Sequence, residues 1–316
     1  MSAATHSVAV LGGTGALGKQ ISLAFLTEFK SNFHTVRVLT RDPSSAVAKE
    51  LAERGASLVK LDESHLTRVL DDAFKDVDVV VNALSTKSSD ATNQAVIDAA
   101  ARSNIKAYFL DEYGSDHWIN EFSGYEHPGW LEKQRIATET RKKLQGKKVI
   151  AVSKLQLKWN HVNIANSLSV SYHNVGVDIE NNVYSVYGSP SQKFSTTAKT
   201  DVARSVARLA ILALDPATAP KVPDNVRIAG ATVTYEEIRD IVARVKGVPK
   251  GEIKAEDLQQ HKEDIRQHPG ENFIDYLRVV IGEGKADFST TNANALVNPG
   301  EAFWKWTTVE EYVRAL

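Results

Sequence analysis

The sequence contains no cysteine among its 316 residues. This absence excludes disulfides, thiolate metal sites and cysteine nucleophiles, and it is typical of a reducing compartment. An excess of one charge is also missing, because the formal net charge is −1 while charged residues make up 24 % of the chain. Without a basic excess to neutralise phosphates, we expect neither a nucleic-acid partner nor a membrane partner.

Long apolar runs are lacking as well. No run approaches the roughly 18 residues that a membrane-spanning helix needs, and residues 1–7 are short and polar, unlike a signal peptide. The chain has no internal repeat and no low-complexity tract. Its length suffices for one large domain or two unequal domains. We therefore expect a cytoplasmic globular protein.

The most informative stretch that is present is an N-terminal apolar strand with the glycine turn after it. Residues 8–11 are apolar in a row, which fits a strand covered on both faces, and an amphipathic helix is predicted over residues 16–30. Gly12, Gly15 and Gly18 lie between them as G-x-x-G-x-x-G. Such glycines permit a tight turn, a close pyrophosphate and close helix–strand packing, while backbone N–H groups and the helix dipole hold the phosphates. The candidate cofactor residues of the turn are Gly12, Thr14, Gly15, Ala16, Leu17 and Gly18.

Strands and helices alternate strictly over about the first 110 residues. The predicted strands are residues 8–11, 35–40, 57–61, 77–83, 105–110 and 147–153. This order predicts an α/β fold with a doubly wound parallel Rossmann sheet and right-handed crossovers. Beyond residue 153 the alternation is lost. We predict a cofactor-binding Rossmann domain at 1–153, completed by parts of 183–212, and a smaller α+β substrate-binding lobe at 154–182 and 213–316.

The strand ends decide which cofactor is held. An acidic residue after the second strand would bind the ribose of NAD, whereas an arginine favours the 2′-phosphate of NADP. Thr40 and Arg41 stand there, so NADPH/NADP+ is favoured. Asp42 next to them weakens this preference, unless it caps the following helix with Pro43 at its first turn. The ends of the other strands supply the remaining candidate cofactor residues, Asp62, Ala83, Leu84 and Ser85.

Several separated motifs resemble one known family over nearly the whole chain. They are G-G-T-G-A-L-G at 12–18, T-R at 40–41, E-Y-G-S-D at 112–116, W-L-E-K at 130–133, K-F-S-T-T at 193–197 and D-V-A-R at 201–204. The combination resembles the NmrA-like and isoflavone-reductase-like group of atypical short-chain dehydrogenases. The match departs where Leu110-Asp111 replaces the Pro-Ser of the family, and where Tyr113 replaces its phenylalanine.

The resemblance implies an active-site lysine, because the family carries a general acid/base at the position of Lys133, beside the nicotinamide. Burial would suit that lysine to proton transfer; otherwise Lys133 is one solvated helix charge among its basic neighbours. The Tyr-x-x-x-Lys pair of ordinary short-chain dehydrogenases is absent. Tyr113 is a second candidate proton donor, with aromatic packing as the alternative.

Histidines and aromatic residues could line the site or pack elsewhere. The histidines are His117, His127, His161 and His173, and their spacing does not indicate a metal site. The aromatic residues, which form either a substrate wall or core, are Trp118, Trp130, Trp159 and Tyr172.

Two functions compete. The first is an NADPH-dependent reductase that transfers hydride to a small aromatic or conjugated substrate, as a monomer or homodimer. The second is an NADP(H)-binding redox sensor without turnover that acts through a protein partner. Redox sensors of the NmrA-like group tend to lack the active-site lysine, so Lys133 favours the enzyme.

Overall fold

The computed structural model describes residues 6–85, 88–119, 122–154 and 175–316. The strands of these residues are β1 (His6–Leu11), β2 (Phe33–Thr40), β3 (Ser57–Lys60), β4 (Val79–Asn82), β5 (Ala107–Phe109), β6 (Lys148–Ser153), β7 (Val177–Asp178), β8 (Val183–Tyr187), β9 (Phe194–Thr196), β10 (Asn225–Arg227), β11 (Ala231–Val233) and β12 (Glu252–Glu256). The α-helices are α1 (Gly18–Leu26), α2 (Ala46–Glu53), α3 (Leu66–Phe74), α4 (Asp90–Arg102), α5 (Pro128–Lys143), α6 (Lys199–Leu214), α7 (Tyr235–Lys246), α8 (Leu258–Gln267), α9 (Phe273–Gly282), α10 (Asn294–Val297) and α11 (Val309–Arg314). Among the described residues, none of these helices is long and apolar enough to cross a membrane.

A seven-stranded parallel sheet forms the centre of the molecule, in the order β10-β6-β5-β4-β1-β2-β3. The strand order reverses direction between β1 and β4. In open α/β sheets, this switch point at the carboxyl ends of the strands is where ligands bind. The doubly wound Rossmann sheet predicted from the sequence is confirmed.

The alternation of side chains along each strand divides the core into two layers. On β1, Val8 and Val10 join the layer that packs against α1 and α6, whereas Ala9 and Leu11 join the layer under α3, α4 and α5. Both layers are buried because successive strand side chains point to opposite faces. The continuous apolar runs of the sequence therefore reflect a sheet that helices cover on both sides.

A second, smaller layer has its own core. Strands β12, β8 and β7 form a three-stranded sheet, and β9 pairs with β11. Helix α7 begins with a capping box formed by Thr234 and Glu237. Strand β8 lies in the range 183–212, parts of which are predicted to complete the Rossmann domain, and its partners are β7 and β12. Conversely, β10 lies within the predicted lobe, yet it is the seventh strand of the central sheet.

Several predicted boundaries are wrong by a few residues. The first helix, expected over 16–30, spans only Gly18–Leu26, and a short 3₁₀ turn follows at Lys30–Asn32. Strand β12 was not predicted, because its sequence Glu-Ile-Lys-Ala-Glu is largely charged and exposed. Charged residues are tolerated there since β12 lies at the edge of its sheet. The division of the chain into two domains stays a prediction.

Candidate active site

The glycine turn after β1 is packed so closely that two of its positions exclude a side chain. Gly12 has a φ of +63°, and a Cβ placed there would lie 2.5 Å from the carbonyl oxygen of Ala83. A Cβ on Gly18 would lie 2.1 Å from the Gly12 carbonyl oxygen. Gly15 is exposed, and its N–H donates to the Gly12 carbonyl at 2.9 Å. The turn thus folds tightly against β4 and α1 and leaves its Gly15 side open.

The N-terminus of α1 faces the same open side. Leu17 is its N-cap, with no side-chain cap hydrogen bond, and the first turn contains no acidic residue. Ala16 is exposed, so the first turn is accessible from solvent. The Thr14 and Thr40 hydroxyls lie 2.9 Å apart and join the turn to the end of β2. Uncapped N–H groups beside an open glycine turn are suited to hold a pyrophosphate.

Arg41 is exposed at the end of β2, with no hydrogen bond or ion pair to another described residue. The Asp42 carboxylate accepts the Ser44 N–H at 2.9 Å. The hydrogen bonds from Ser44 lower the pKa of Asp42. The expectation that Asp42 caps α2 is wrong, because Ser45 is the N-cap and accepts from Ala48.

The other candidate strand ends differ in their surroundings. Ala83 closes the back of the glycine turn, and its N–H donates to the Leu11 carbonyl at 3.0 Å. The Leu84 N–H donates to Asn82 Oδ1 at 3.1 Å, and Ser85 is exposed. The Asp62 carboxylate instead accepts the Ser64 N–H at 3.0 Å, and the hydrogen bonds from Ser64 lower its pKa. Asp62 therefore caps a local 3₁₀ turn, and its role toward a cofactor stays a prediction.

Lys133 points from α5 toward the loop that follows β5. Its Nζ lies 2.7 Å from Asp111 Oδ2 and also donates to the Asp111 carbonyl at 3.2 Å. The side chains of Lys133 and Asp111 are 24 % and 11 % exposed. Lys133 is thus neither fully desolvated nor a free surface charge. Its partner is the residue at which this chain departs from the family's serine.

The sheet places this ion pair near the glycine turn. Asp111 follows the end of β5, and only β4 lies between β5 and β1. Because neighbouring strands are about 4.8 Å apart, the two strand ends are separated by about 10 Å at the same edge. Two other basic residues of α5 form ion pairs that do not involve Asp111: Arg135 pairs with Glu132 and Glu139, and Lys143 pairs with Asp98.

Tyr113 is poorly placed to donate a proton. Its hydroxyl is buried and has no hydrogen-bond partner in the part of the chain that the structure describes, while its ring packs against the main core. Burial raises the pKa of Tyr113 well above its usual value. This environment favours the packing alternative, and the catalytic role stays an untested prediction.

Glu112 belongs to the E-Y-G-S-D motif, and the structure buries it beside His117. Glu112 Oε2 and His117 Nε2 are 3.5 Å apart, and both side chains are 5 % exposed. Burial raises the pKa of Glu112 to about 7 and lowers the pKa of His117 to about 4. The buried Asp116 accepts from Arg227 Nε at 2.7 Å, which ties the loop to β10. The sequence carried one signal for a buried acid, the two acidic residues that follow the apolar strand at 105–110. Nothing in the sequence showed that His117 would face Glu112.

The candidate aromatic wall divides. Trp130 is buried in the core of the smaller layer, whereas Trp118 is 39 % exposed. His127 is the N-cap of α5 and accepts from the Gly129 N–H. Trp159, His161, Tyr172 and His173 lie outside the described residues.

Comparisons with known proteins agree with this architecture. The family model described as NmrA-like family matches residues 4–313. Isoeugenol synthase 1 from Clarkia breweri is 28 % identical over 213 residues, which are 65 % of this chain and 63 % of that protein. The chain spans less than two thirds of the length of the curated relatives that it matches.

Two solved structures are similar in fold across almost their whole lengths. A crystal structure of isoflavone reductase is 19 % identical, with a TM-score of 0.71, and the match covers 98 % of this chain and 99 % of that chain. The binary complex of leucoanthocyanidin reductase with NADPH from Vitis vinifera is 17 % identical, with a TM-score of 0.69, and the match covers 97 % and 98 %. Since the family model extends over nearly the entire chain, this protein belongs to the NmrA-like family.

Proposed function

We propose that this protein is an NADPH-dependent reductase that transfers hydride to a small aromatic or conjugated substrate, with Lys133 as the general acid/base. The observation that carries the proposal is the contact of Lys133 with Asp111 at the sheet edge where the glycine turn also lies. A proton-carrying group and an open nucleotide turn therefore share one switch point.

The turn and Arg41 would hold the cofactor. The open side of Gly15 and the uncapped start of α1 suit the pyrophosphate, and Arg41 has no carboxylate among the described residues to compete for it. A free guanidinium binds a phosphate through bidentate hydrogen bonds. NADPH is bound by the leucoanthocyanidin reductase of similar fold, which supports the same cofactor here.

Lys133 would bind and orient the reacting oxygen of the substrate and hold the proton that the reduced product needs. The nicotinamide supplies the hydride when it is bound. Asp111 fixes the Lys133 ammonium through the 2.7 Å contact, so its position does not depend on the substrate. A group held in this way loses less freedom when the substrate arrives.

An apolar, flat substrate would suit the apolar side chains that two neighbouring segments expose, the loop before α5 and α5 itself. The exposed Trp118 follows His117, whose carbonyl accepts from Gln134 on α5 at 2.8 Å. Leu131, 47 % exposed, lies about one turn before Gln134. The names of isoeugenol synthase and isoflavone reductase refer to aromatic molecules, which agrees with this surface.

Cofactor fluorescence titration and an NADPH-consumption assay test the proposal. We expect tighter binding of NADPH than of NADH, and Arg41→Ala should weaken NADPH binding about tenfold while NADH binding stays unchanged, because one charged contact to phosphate is lost. Arg68→Ala, on the exposed surface of α3, is the matched control. A preference for NADH would contradict the assignment of Arg41.

Turnover separates the two functional classes. We expect NADPH oxidation with at least one member of a panel of enones, imines and aromatic ketones. Cofactor binding without any turnover across a broad panel would favour the redox sensor that acts through a protein partner.

A further inference from the structure

The loop after β5 buries a carboxyl group against an imidazole. Glu112 Oε2 lies 3.5 Å from His117 Nε2, and neither carboxyl oxygen of Glu112 has a hydrogen-bond partner among the described residues. Gln134 Nε2 donates to the His117 carbonyl at 2.8 Å and so fixes the backbone of this loop to α5. An ionised carboxylate in this position would be buried without hydrogen bonds, which is costly.

Charged groups of both signs surround the pair. They come from the loop itself and from α5, and they are Asp111, Asp116, Lys133 and Arg141. The fully buried Lys154, which follows β6, meets the same loop through its backbone, since its N–H donates to the Gly114 carbonyl at 2.7 Å. For Glu112, burial raises the pKa to about 7 against the opposing effect of Lys133 and Arg141. For His117, burial lowers the pKa to about 4, and the same two cations act in the same direction. Between about pH 4 and pH 7, the uncharged forms of both groups are therefore favoured.

We propose that Glu112 and His117 hold a single proton as an uncharged acid–imidazole pair, which makes Glu112 a positioning residue for Lys133. A protonated carboxyl has one donor, and a neutral imidazole has one acceptor nitrogen, so the two are complementary. At 3.5 Å the groups are just beyond ordinary hydrogen-bond length, and a small rotation of either side chain closes the gap.

The charge state of the pair would act on Lys133 electrostatically. This part of the proposal rests on the proposed reductase function. While the pair is uncharged, Asp111 is the carboxylate in contact with the Lys133 ammonium. Ionisation of Glu112 at higher pH adds a second negative charge near that ammonium. The added charge opposes release of a proton from Lys133, so turnover should fall as Glu112 ionises.

Infrared spectroscopy tests the proton directly and needs no turnover. The difference spectrum between wild type and Glu112→Gln at pH 6 should contain a protonated-carboxyl stretch. The exposed Glu252 provides the control, because Glu252→Gln should remove only a carboxylate band at this pH. If Glu112→Gln does not fold, the wild type alone serves, since the acid band should disappear between pH 6 and pH 8.5. If the acid band is absent at pH 6, Glu112 is ionised and the proposal of an uncharged acid–imidazole pair is wrong.

Urea unfolding across pH gives a second, independent readout. In the unfolded chain, glutamate and histidine titrate near their ordinary values of 4.5 and 6.5, so the unfolded pair also carries about one proton between these values. In Glu112→Gln, folded His117 lacks a proton that the unfolded chain binds. The free energy of unfolding should therefore rise, relative to wild type, as the pH increases from about 4 to 6.5. In His117→Asn, folded Glu112 keeps a proton that the unfolded chain has lost. The free energy of unfolding should therefore fall, relative to wild type, as the pH increases from about 4.5 to 7. If the free energies of unfolding of the two variants changed with pH in parallel, the proposal that Glu112 and His117 share a proton would be wrong.

The pH profile of NADPH oxidation tests the positioning role. Wild-type kcat should fall above about pH 7, and Glu112→Gln should remove that fall without changing NADPH affinity. A fall that persists in Glu112→Gln overturns the positioning role. A wild type without turnover overturns the reductase proposal and the positioning role together, while the infrared band still decides whether the pair holds its proton.

Discussion

At the scale of single residues, Asp111 is the feature that distinguishes this chain. The family resemblance predicts the lysine at 133, but it predicts a serine where Asp111 stands. The structure brings the carboxylate to 2.7 Å from Lys133 Nζ. The sequence could locate both residues and still not reveal the contact, because 22 positions separate them along the chain.

Removal of the Asp111 charge should impair turnover more than binding. In Asp111→Asn, Lys133 loses the carboxylate that fixes it, and we expect kcat to fall about tenfold, which corresponds to about 1.4 kcal/mol of transition-state stabilisation. NADPH affinity should stay within about twofold. Steady-state kinetics and cofactor titration measure the two quantities.

Asp98→Asn is the matched control for this prediction. It breaks the ion pair of Asp98 with Lys143 on the outer surface between α4 and α5, far along α5 from Lys133. An equal loss of kcat in both variants would show that Asp111 acts through the stability of α5 rather than through Lys133.

At the scale of elements, the turn between β1 and α1 shows how much the sequence could determine. Three glycines at fixed spacing predicted the tight turn, and the steric limits at Gly12 and Gly18 agree with that interpretation. The helix behind the turn was predicted correctly in kind, but its ends depended on caps that apolar periodicity does not specify. Strand β12 could not be predicted, because its pairing with β8 joins residues about 70 positions apart.

Substitution of Gly12 should separate steric contact from backbone strain. Gly12→Ala places a Cβ 2.5 Å from the Ala83 carbonyl in a left-handed conformation, whereas Gly247→Ala has a similar φ of +67° with nothing within 4 Å. We expect Gly247→Ala to lower the free energy of unfolding by about 1 kcal/mol through strain alone. Gly12→Ala should cost about 2 kcal/mol or more, since β4 must also move. Urea unfolding measures both.

Cofactor titration completes this comparison. Gly12→Ala should weaken NADPH binding because the turn is displaced, and Gly247→Ala should leave it unchanged. Equal costs in stability, with NADPH affinity intact in both variants, would contradict the assigned role of the turn.

At the scale of the whole molecule, topology brings distant parts of the sequence to one sheet edge. Strict alternation predicted the parallel order, and parallel strands necessarily align their carboxyl ends. The buried Glu112–His117 pair was beyond prediction, since its proton balance depends on three-dimensional burial. The proposed substrate surface is equally a tertiary property: Trp130 packs into the core while Trp118 stays exposed, although the sequence offered both as aromatic candidates.

The measurement that tests the central claim most directly is NADPH oxidation by wild type, Lys133→Ala and Lys142→Ala with one accepted substrate. Lys142 is exposed on the same helix and serves as the matched control. Because a positioned general acid contributes 10²–10⁴-fold, kcat of Lys133→Ala should fall by about 100-fold or more, with NADPH affinity nearly unchanged. Lys142→Ala should match wild type. Undiminished turnover in Lys133→Ala would contradict the account.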